Sequence, residues 1–357
     1  MNMKLEDLGY TEEIDNYFKR SNIPGAVACR VTQEHRERYV ISDGPNEYEA
    51  EITGNLRFSA QSRAGFPAVG DWVVATVYDQ SQAIIHQVMP RSSVLERQYV
   101  SKTGEKQIIS ANIDFAFIMQ SIDNNFNLNR IERYLTVCYS SEIVPIIVIS
   151  KTDLADNNQV EKVLKAVGSR ENNITTLLLS NTSKNGLDKI REVIMKGKTY
   201  CVVGSSGVGK STLINNLLEK DILKTGSISV STNKGRHVTS HRELFVLENG
   251  GIIIDTPGMR ELGVTESETG LKTTFEDISS LSLKCKFPDC THTNEPGCAV
   301  NEAIENGSLE QGALENYRRI RRDQERFQTS VAEKHRKEQV LGKYYKSVVK
   351  EIKKNKY

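Results

Sequence analysis

Neither sign of charge dominates this chain. Its 47 Lys and Arg offset 46 Asp and Glu to a net +1, so whole-chain charge points to no class of partner. Nowhere is there an uninterrupted apolar run long enough to span a bilayer, and residues 1–7 lack the basic-then-apolar layout of a secretory leader. The expectation is a cytoplasmic protein with no membrane partner. Cysteine is sparse, six in 357 residues. Cys29, Cys138 and Cys201 stand singly in apolar, strand-like or helix-like contexts and read as buried thiols. The other three gather around a histidine, which in a reducing compartment suits a metal better than disulfides. A chain of 357 residues is long enough for two or three domains with a well-buried core.

The stretch from Gly204 to Ser211 spells G-x-x-x-x-G-K-S, directly after the apolar run Tyr200-Cys201-Val202-Val203 and directly before Thr212-Leu213-Ile214. A strand, a glycine-rich loop and a helix start in that order form a phosphate cradle. The backbone N–H groups of Gly204, Ser205, Ser206, Gly207, Val208 and Gly209, with the helix N-terminus at Thr212, can surround a polyphosphate. Lys210 would reach the β- and γ-phosphates, and the Ser211 hydroxyl would ligate Mg²⁺. Downstream, the short apolar strand 251–254 ends in Asp255-Thr256-Pro257-Gly258. Asp255 is then placed to hold the Mg²⁺ through water, and the Gly258 N–H to sense the γ-phosphate.

Guanine readers of the N-K-x-D type are missing after Asp255. Upstream, the buried-strand pattern 143–149 ends in Ser150-Lys151-Thr152-Asp153, and 177–179 ends in Ser180-Asn181. These look like base-reading elements placed ahead of the phosphate loop, which implies a circularly permuted GTPase domain. Asp153 would accept from the guanine N1–H and 2-amino group, a donor pair that adenine lacks, while Lys151 would lay its stem over the base.

With these motifs in this order, the sequence resembles the ribosome small-subunit-dependent GTPase A family (RsgA, or YjeQ), over roughly residues 23–300. Residues 23–97 carry several short β-rich runs punctuated by turns, which suit a small closed barrel with an OB-fold as the leading candidate. Gly70-Asp71-Trp72-Val73 and Pro90-Arg91 resemble the family's N-terminal OB domain. Arg57, Phe58, Arg63, Arg91 and Arg97 are its candidate RNA contacts. Residues 3–20, apolar at helical spacing, should pack onto that domain, and residues 98–110 read as a linker.

The stretch from Gly235 to Leu244 resembles the family's switch I, which makes Thr239 the candidate to complete the Mg²⁺ shell. Met259 stands where many GTPases carry a water-orienting glutamine; His237, from switch I, is the candidate for that role. Ser150 departs from the family's Asn. One hydroxyl donor replaces an amide's two, so nucleotide affinity should be lower than in a Ser150→Asn variant.

Cys285, Cys290, His292 and Cys298 give C-x₄-C-x-H-x₅-C. Three thiolates and one imidazole make a closed tetrahedral set, the pattern of one structural zinc per chain; it is similar to the family's C-terminal zinc module. Residues 313–357 hold 14 Lys or Arg against 6 Asp or Glu, with tyrosines among them, as a phosphate backbone would favour.

The expected architecture is multidomain. An all-β OB-fold barrel with its lead helix occupies 1–97, a permuted α/β P-loop GTPase domain 98–278, and a zinc-binding helical module with a basic tail 279–357. The resemblance implies GTP hydrolysis to GDP and phosphate as a switch in late assembly of the small ribosomal subunit, with the outer domains on rRNA and the protein a monomer. Two other readings stay open: an RNA-binding scaffold or paralogue that only senses GTP, and a P-loop ATPase or kinase, against which Asp153 speaks.

Overall fold

The structure is a computed structural model; it describes residues 3–35, 38–60, 63–98, 106–170, 173–223, 242–256 and 268–329. A 3₁₀ turn (Leu5–Leu8) precedes α1 (Glu12–Ser21), which starts where the Thr11 hydroxyl accepts the Ile14 N–H. Leu8, Tyr10, Ile14, Tyr17 and Phe18 turn inward, with Tyr10 edge-on to Trp72 at 5.1 Å between ring centroids. The lead segment therefore packs on the barrel as its spacing predicts.

The barrel consists of β1 (Ala26–His35), β2 (Arg38–Ser42), β3 (Glu47–Ile52), α2 (Gly54–Ser59), β4 (Trp72–Asp79) and β5 (Gln82–Val88). Its strands neighbour in the order β1-β2-β3-β5-β4, β4 closes back on β1, and β3 with β5 is the parallel pair. That is an OB-fold barrel. In β3 the alternation Glu47, Tyr48, Glu49, Ala50, Glu51, Ile52 puts every second side chain inside with Val31, Ile41 and Ile85.

The expected linker is a correction. Residues 106–111 form a strand, so β6 (Val94–Gln98) and β7 (Lys106–Ala111) make an antiparallel hairpin. Leu95 and Ile109 sink into the main core from this polar-looking stretch, so pairing and burial override its weak intrinsic preference. Arg91 is a second correction. Rather than facing a ligand, it grips the fully buried Asp71 through Nε and Nη2, both at 2.7 Å, and donates to Ala64 O and Phe66 O. A buried carboxylate needs a paired cation more than the surface does. Phe58 on α2 is 92% exposed.

Next come β8 (Phe115–Ser121), α3 (Leu128–Ser140), β9 (Val144–Ser150), α4 (Asn157–Gly168), β10 (Thr176–Leu179), α5 (Leu187–Val193), β11 (Thr199–Gly204), α6 (Lys210–Leu218), β12 (Arg242–Val246) and β13 (Ile252–Asp255). The sheet runs β10-β9-β8-β11-β13-β12, parallel throughout except for β12. Alternate residues feed opposite cores: Ala116, Ile118, Cys201 and Val203 face α3 and α4, while Phe117, Met119, Tyr200 and Val202 face α5 and α6. A sheet covered on both faces needs such continuously apolar strands. The three lone cysteines are buried thiols, as their contexts predict.

Antiparallel pairing of β12 with β1 (Gln33↔Glu243, Glu34↔Arg242) joins this sheet to the barrel, and an Arg242–Glu34 ion pair of 3.0 Å reinforces it. Arg30 pins the same junction. Its guanidinium, 1% exposed, donates to Leu8 O, to Gly70 O at 3.2 Å, to Asn112 O at 3.2 Å and to Thr199 Oγ1 at 2.9 Å. Lead segment, barrel, hairpin and nucleotide sheet thus share one buried cation.

The C-terminal helices α7 (Glu268–Thr274), α8 (Glu276–Ser282), α9 (Ala299–Glu305) and α10 (residues 311–329) surround a small core of Leu271, Phe275, Ile278, Val300, Leu314 and Ile320. Cys290 and Cys298 belong to that core. Gly270 lets α7 lie against the Thr136 and Ser140 turn of α3, where a Cβ would come within 2.3 Å of Thr136 O.

Candidate functional site

The parallel strands end together at one edge. Ser121, Ser150, Leu179, Gly204 and Asp255 are their last residues, and ligands of such sheets sit beyond that edge. Strand β11 is buried along its whole length and delivers the phosphate loop there. Gly204 has φ +149°, and a Cβ on it would lie 2.4 Å from Met119 O. Gly209 has φ +98°, where a Cβ would lie 2.5 Å from Asn181 Nδ2. Both positions require glycine. Val208 plugs the loop into the core, while Ser206 and Gly207 are exposed at its tip.

Helix α6 starts at Lys210 with no side-chain cap, so its first N–H groups face the loop, with Ser211 and Thr212 half-buried in that first turn. This is an anion site by construction. The Lys210 ammonium folds over the loop, donating to Gly204 O at 2.9 Å and Ser205 O at 2.8 Å.

Across the loop, Asp255 ends β13, and the next residue, Thr256, anchors it by donating to Val202 O at 2.9 Å. Burial pushes the Asp255 carboxyl up to about 6; Glu243, its partner on β12, adds to the rise, and Lys210 opposes it. A divalent cation beside it would hold it ionised.

The two upstream elements both reach the phosphate loop. Ser150 is fully buried, and its hydroxyl donates to Val208 O at 2.7 Å. Asn181 Nδ2 donates to Gly209 O at 3.0 Å and is itself held by Asn216. Ser180 is buried beneath them, its hydroxyl accepting the Ser183 N–H. Lys151 takes a left-handed backbone (φ +59°) that turns the chain outward, and its ammonium pairs with Asp123 at 3.0 Å. Burial would raise the Asp123 carboxyl, but Lys151, Ser121 and the Asn125 N–H outweigh it and hold it below the usual range. Asp153 sits exposed on the following 3₁₀ turn. Its carboxylate makes no hydrogen bond among the described residues. His237, Thr239, Gly258 and Met259 lie outside the described residues.

The sequence reading missed two groups here. Asp123 follows a parallel strand at the ligand edge, and that position is a usable signal. Arg130 of α3 donates to Ser205 Oγ at 3.1 Å; a lone arginine in an amphipathic helix gives none.

Away from this edge, one donor atom from each of Cys285, Cys290, His292 and Cys298 lies within 4.8 Å of all the others. His292 Nδ1 faces the sulfurs, 3.7 Å from Cys285 Sγ and 3.5 Å from Cys298 Sγ. Its Nε2 lies 3.0 Å from Ser282 Oγ, which donates to Ile278 O. Ser282 therefore accepts the Nε2 proton and leaves Nδ1 bare for a metal, the second contact that a histidine ligand needs. The donor set fits one four-coordinate metal ion.

Comparison with known proteins separates the open readings. The RsgA GTPase family model matches residues 88–265. A protein of Lactiplantibacillus plantarum named small ribosomal subunit biogenesis GTPase RsgA 2 is 42% identical, over 90% of each chain. The chain belongs to the RsgA GTPase family. Another relative, RsgA 1 of Bacteroides thetaiotaomicron, is 36% identical over 96% of this chain and 95% of its own. The crystal structure of YjeQ from Thermotoga maritima superposes with a TM-score of 0.62 at 25% identity, over 83% of this chain and 97% of that one. A second solved structure, described as YloQ, a circularly permuted GTPase, has the same fold (TM-score 0.60, 24% identity, over 85% of this chain and 97% of that one). An ABC transporter model matches residues 187–346, a stretch that contains the phosphate loop and excludes segments 150–153 and 180–181. As an RsgA GTPase, this chain is a P-loop GTP hydrolase with a circularly permuted GTPase domain, which removes the ATPase reading.

Proposed function

We infer that this RsgA GTPase hydrolyses GTP as a switch in the assembly of the small ribosomal subunit, gripping rRNA through its barrel and its metal module. Its relatives carry that role in their names. In the structure, the observation that carries the nucleotide half is the pair of bonds from Ser150 to Val208 O and from Asn181 to Gly209 O. Both fasten base-reading segments to the phosphate loop, so base and polyphosphate are read by one rigid edge.

In this reading the loop N–H groups and the α6 N-terminus hold the β-phosphate, and Lys210 leaves its loop carbonyls to neutralise charge on the β- and γ-oxygens. Ser211, Thr239 and Asp255 hold Mg²⁺, which supplies further neutralisation of the triphosphate. The Gly258 N–H meets the γ-phosphate, and His237 orients the attacking water. Asp153, exposed and without a hydrogen bond among the described residues, accepts from guanine, and Lys151 covers the base. Zinc fills the Cys₃His site. The protein works as a cytoplasmic monomer. Intrinsic turnover is slow and rises when a partner binds.

The deciding experiment compares GTP turnover of the protein alone, with purified small subunits, with large subunits and with bare RNA. Stimulation confined to small subunits is the expected result. No stimulation by any of them sinks the ribosomal assignment and leaves a GTP-sensing scaffold.

Ser150 gives a sharper test of the base edge. Ser150→Ala removes a buried bond of about 1–1.5 kcal/mol and should weaken GDP and GTP binding by about tenfold. Ser150→Asn should tighten both. Calorimetric titration that finds either variant unchanged excludes the tether.

A further inference from the structure

A cleft of about 530 Å³ lies between the start of α3, the phosphate loop and α10, with Asn127, Arg130, Arg133, Ser205 and Arg319 on its walls. Among the described residues Arg130 bonds neutral acceptors: Asn125 O at 3.3 Å, Asn125 Oδ1 at 3.1 Å and Ser205 Oγ at 3.1 Å. Among the described residues no carboxylate cancels its charge. Arg319 is exposed on α10. Arg133 is paired with Asp323 of α10 at 2.8 Å. The nearby Glu132 is buried and committed elsewhere, to Arg170 at 3.1 Å and to Asn316. Arg130, Arg133 and Arg319 thus stand on the walls of one cleft.

The cleft is also held at a fixed width. Asn316 of α10 donates to Asn129 O at 3.2 Å and to the Glu132 carboxylate, and the Arg133–Asp323 pair closes the next turn. A preorganised set of guanidinium forks binds phosphate oxygens at low ordering cost. Helix α3 links the parts, because Arg130, Glu132 and Arg133 project from one turn to touch the phosphate loop and α10.

We propose that this cleft binds the phosphodiester backbone of an RNA strand, and that Arg130 couples its occupancy to the phosphate loop. The proposal rests on the reading that the partner is RNA. A phosphate drawing the Arg130 fork away from Ser205 Oγ frees the first side chain of the loop, so bound RNA speeds nucleotide release. To the extent that bound RNA weakens GDP binding at equilibrium, GDP weakens RNA binding by the same factor.

The test uses full-length, zinc-loaded protein with Mg²⁺ and a fluorescent GDP, to which a short single-stranded RNA is added at about 50 mM salt and upward. RNA should accelerate GDP release by about threefold or more. Arg319→Glu should cut RNA affinity by about tenfold and flatten the salt dependence by about one phosphate contact. Arg130→Met should abolish the acceleration, and if that variant cannot hold GDP, Arg319→Glu decides alone. Arg321→Glu, an equal change of charge on the other side of α10, should keep it. Equal losses of RNA affinity at positions 319 and 321 overturn the cleft in favour of diffuse attraction. Inorganic phosphate that accelerates release as RNA does overturns the assignment to a strand. RNA that binds without changing release overturns the coupling and leaves the RNA reading intact. RNA that does not bind the wild type removes both.

Discussion

Lys210→Ala should lower GTP turnover by about a thousandfold, some 4 kcal/mol of transition-state stabilisation. The size of the effect follows from the geometry. In the structure the ammonium already lies on the loop's own carbonyls, Gly204 O and Ser205 O, so it reaches a phosphate by a short rotation and brings its charge into a cradle otherwise made of neutral N–H groups. Asp255, half-buried across the loop, is a carboxyl group and supplies no positive charge to the triphosphate. The substitution leaves the fold intact, because Lys210 is only half-buried at the first position of α6. Single-turnover hydrolysis at saturating GTP measures the loss without interference from affinity. A variant that keeps more than a tenth of wild-type turnover would show that the loop N–H groups carry the chemistry.

The other large effect belongs to the metal module. Cys290→Ser should unfold the segment around α8 and α9 while the nucleotide sheet survives. His292, Cys290 and Cys298 are 2%, 8% and 3% exposed, in a small core shared with Leu271, Phe275, Ile278, Val300, Leu314 and Ile320. So small a core does not hold a fold by itself, and the binding free energy of a structural zinc, about 10 kcal/mol or more, is its folding free energy. Hydrogen exchange should show lost protection at α8 and α9 with little change in β8, β9 and β11, and metal analysis should show one equivalent of zinc gone. Protection unchanged after chelation would mean that the four side chains pack as a core without metal. Losing this module also removes one contact of α10, the bond from Arg318 to the His292 carbonyl, while its bonds to α3 remain.

Both predictions concern short motifs, and short motifs were what the sequence made legible. Gly204 to Ser211, Asp255 and the Cys₃His set are chemistry that fixes residue types at fixed spacings, so each can be read without the fold. The permuted order was legible for a related reason. Ser150–Asp153 and Asn181 end apolar strand patterns, and strands of one parallel sheet end at one edge whatever their order along the chain. The barrel was legible in its alternating short strands.

Tertiary structure alone decided the rest. Arg91 reads as a loop cation open to a ligand, but the burial of Asp71 claimed it, since a carboxylate out of water demands a paired guanidinium. Residues 106–110 read as part of a linker until Val94–Gln98 came alongside and supplied the backbone bonds that their own composition could not specify. Arg130 meets Ser205 across 75 positions of chain, and Arg30 joins Leu8 to Thr199 across 22 and 169. The chain determined which local chemistries it carries, because those need only neighbours in sequence. Which cation serves which buried acceptor was set by the fold, because the cost of desolvating a charge depends on every surface packed around it.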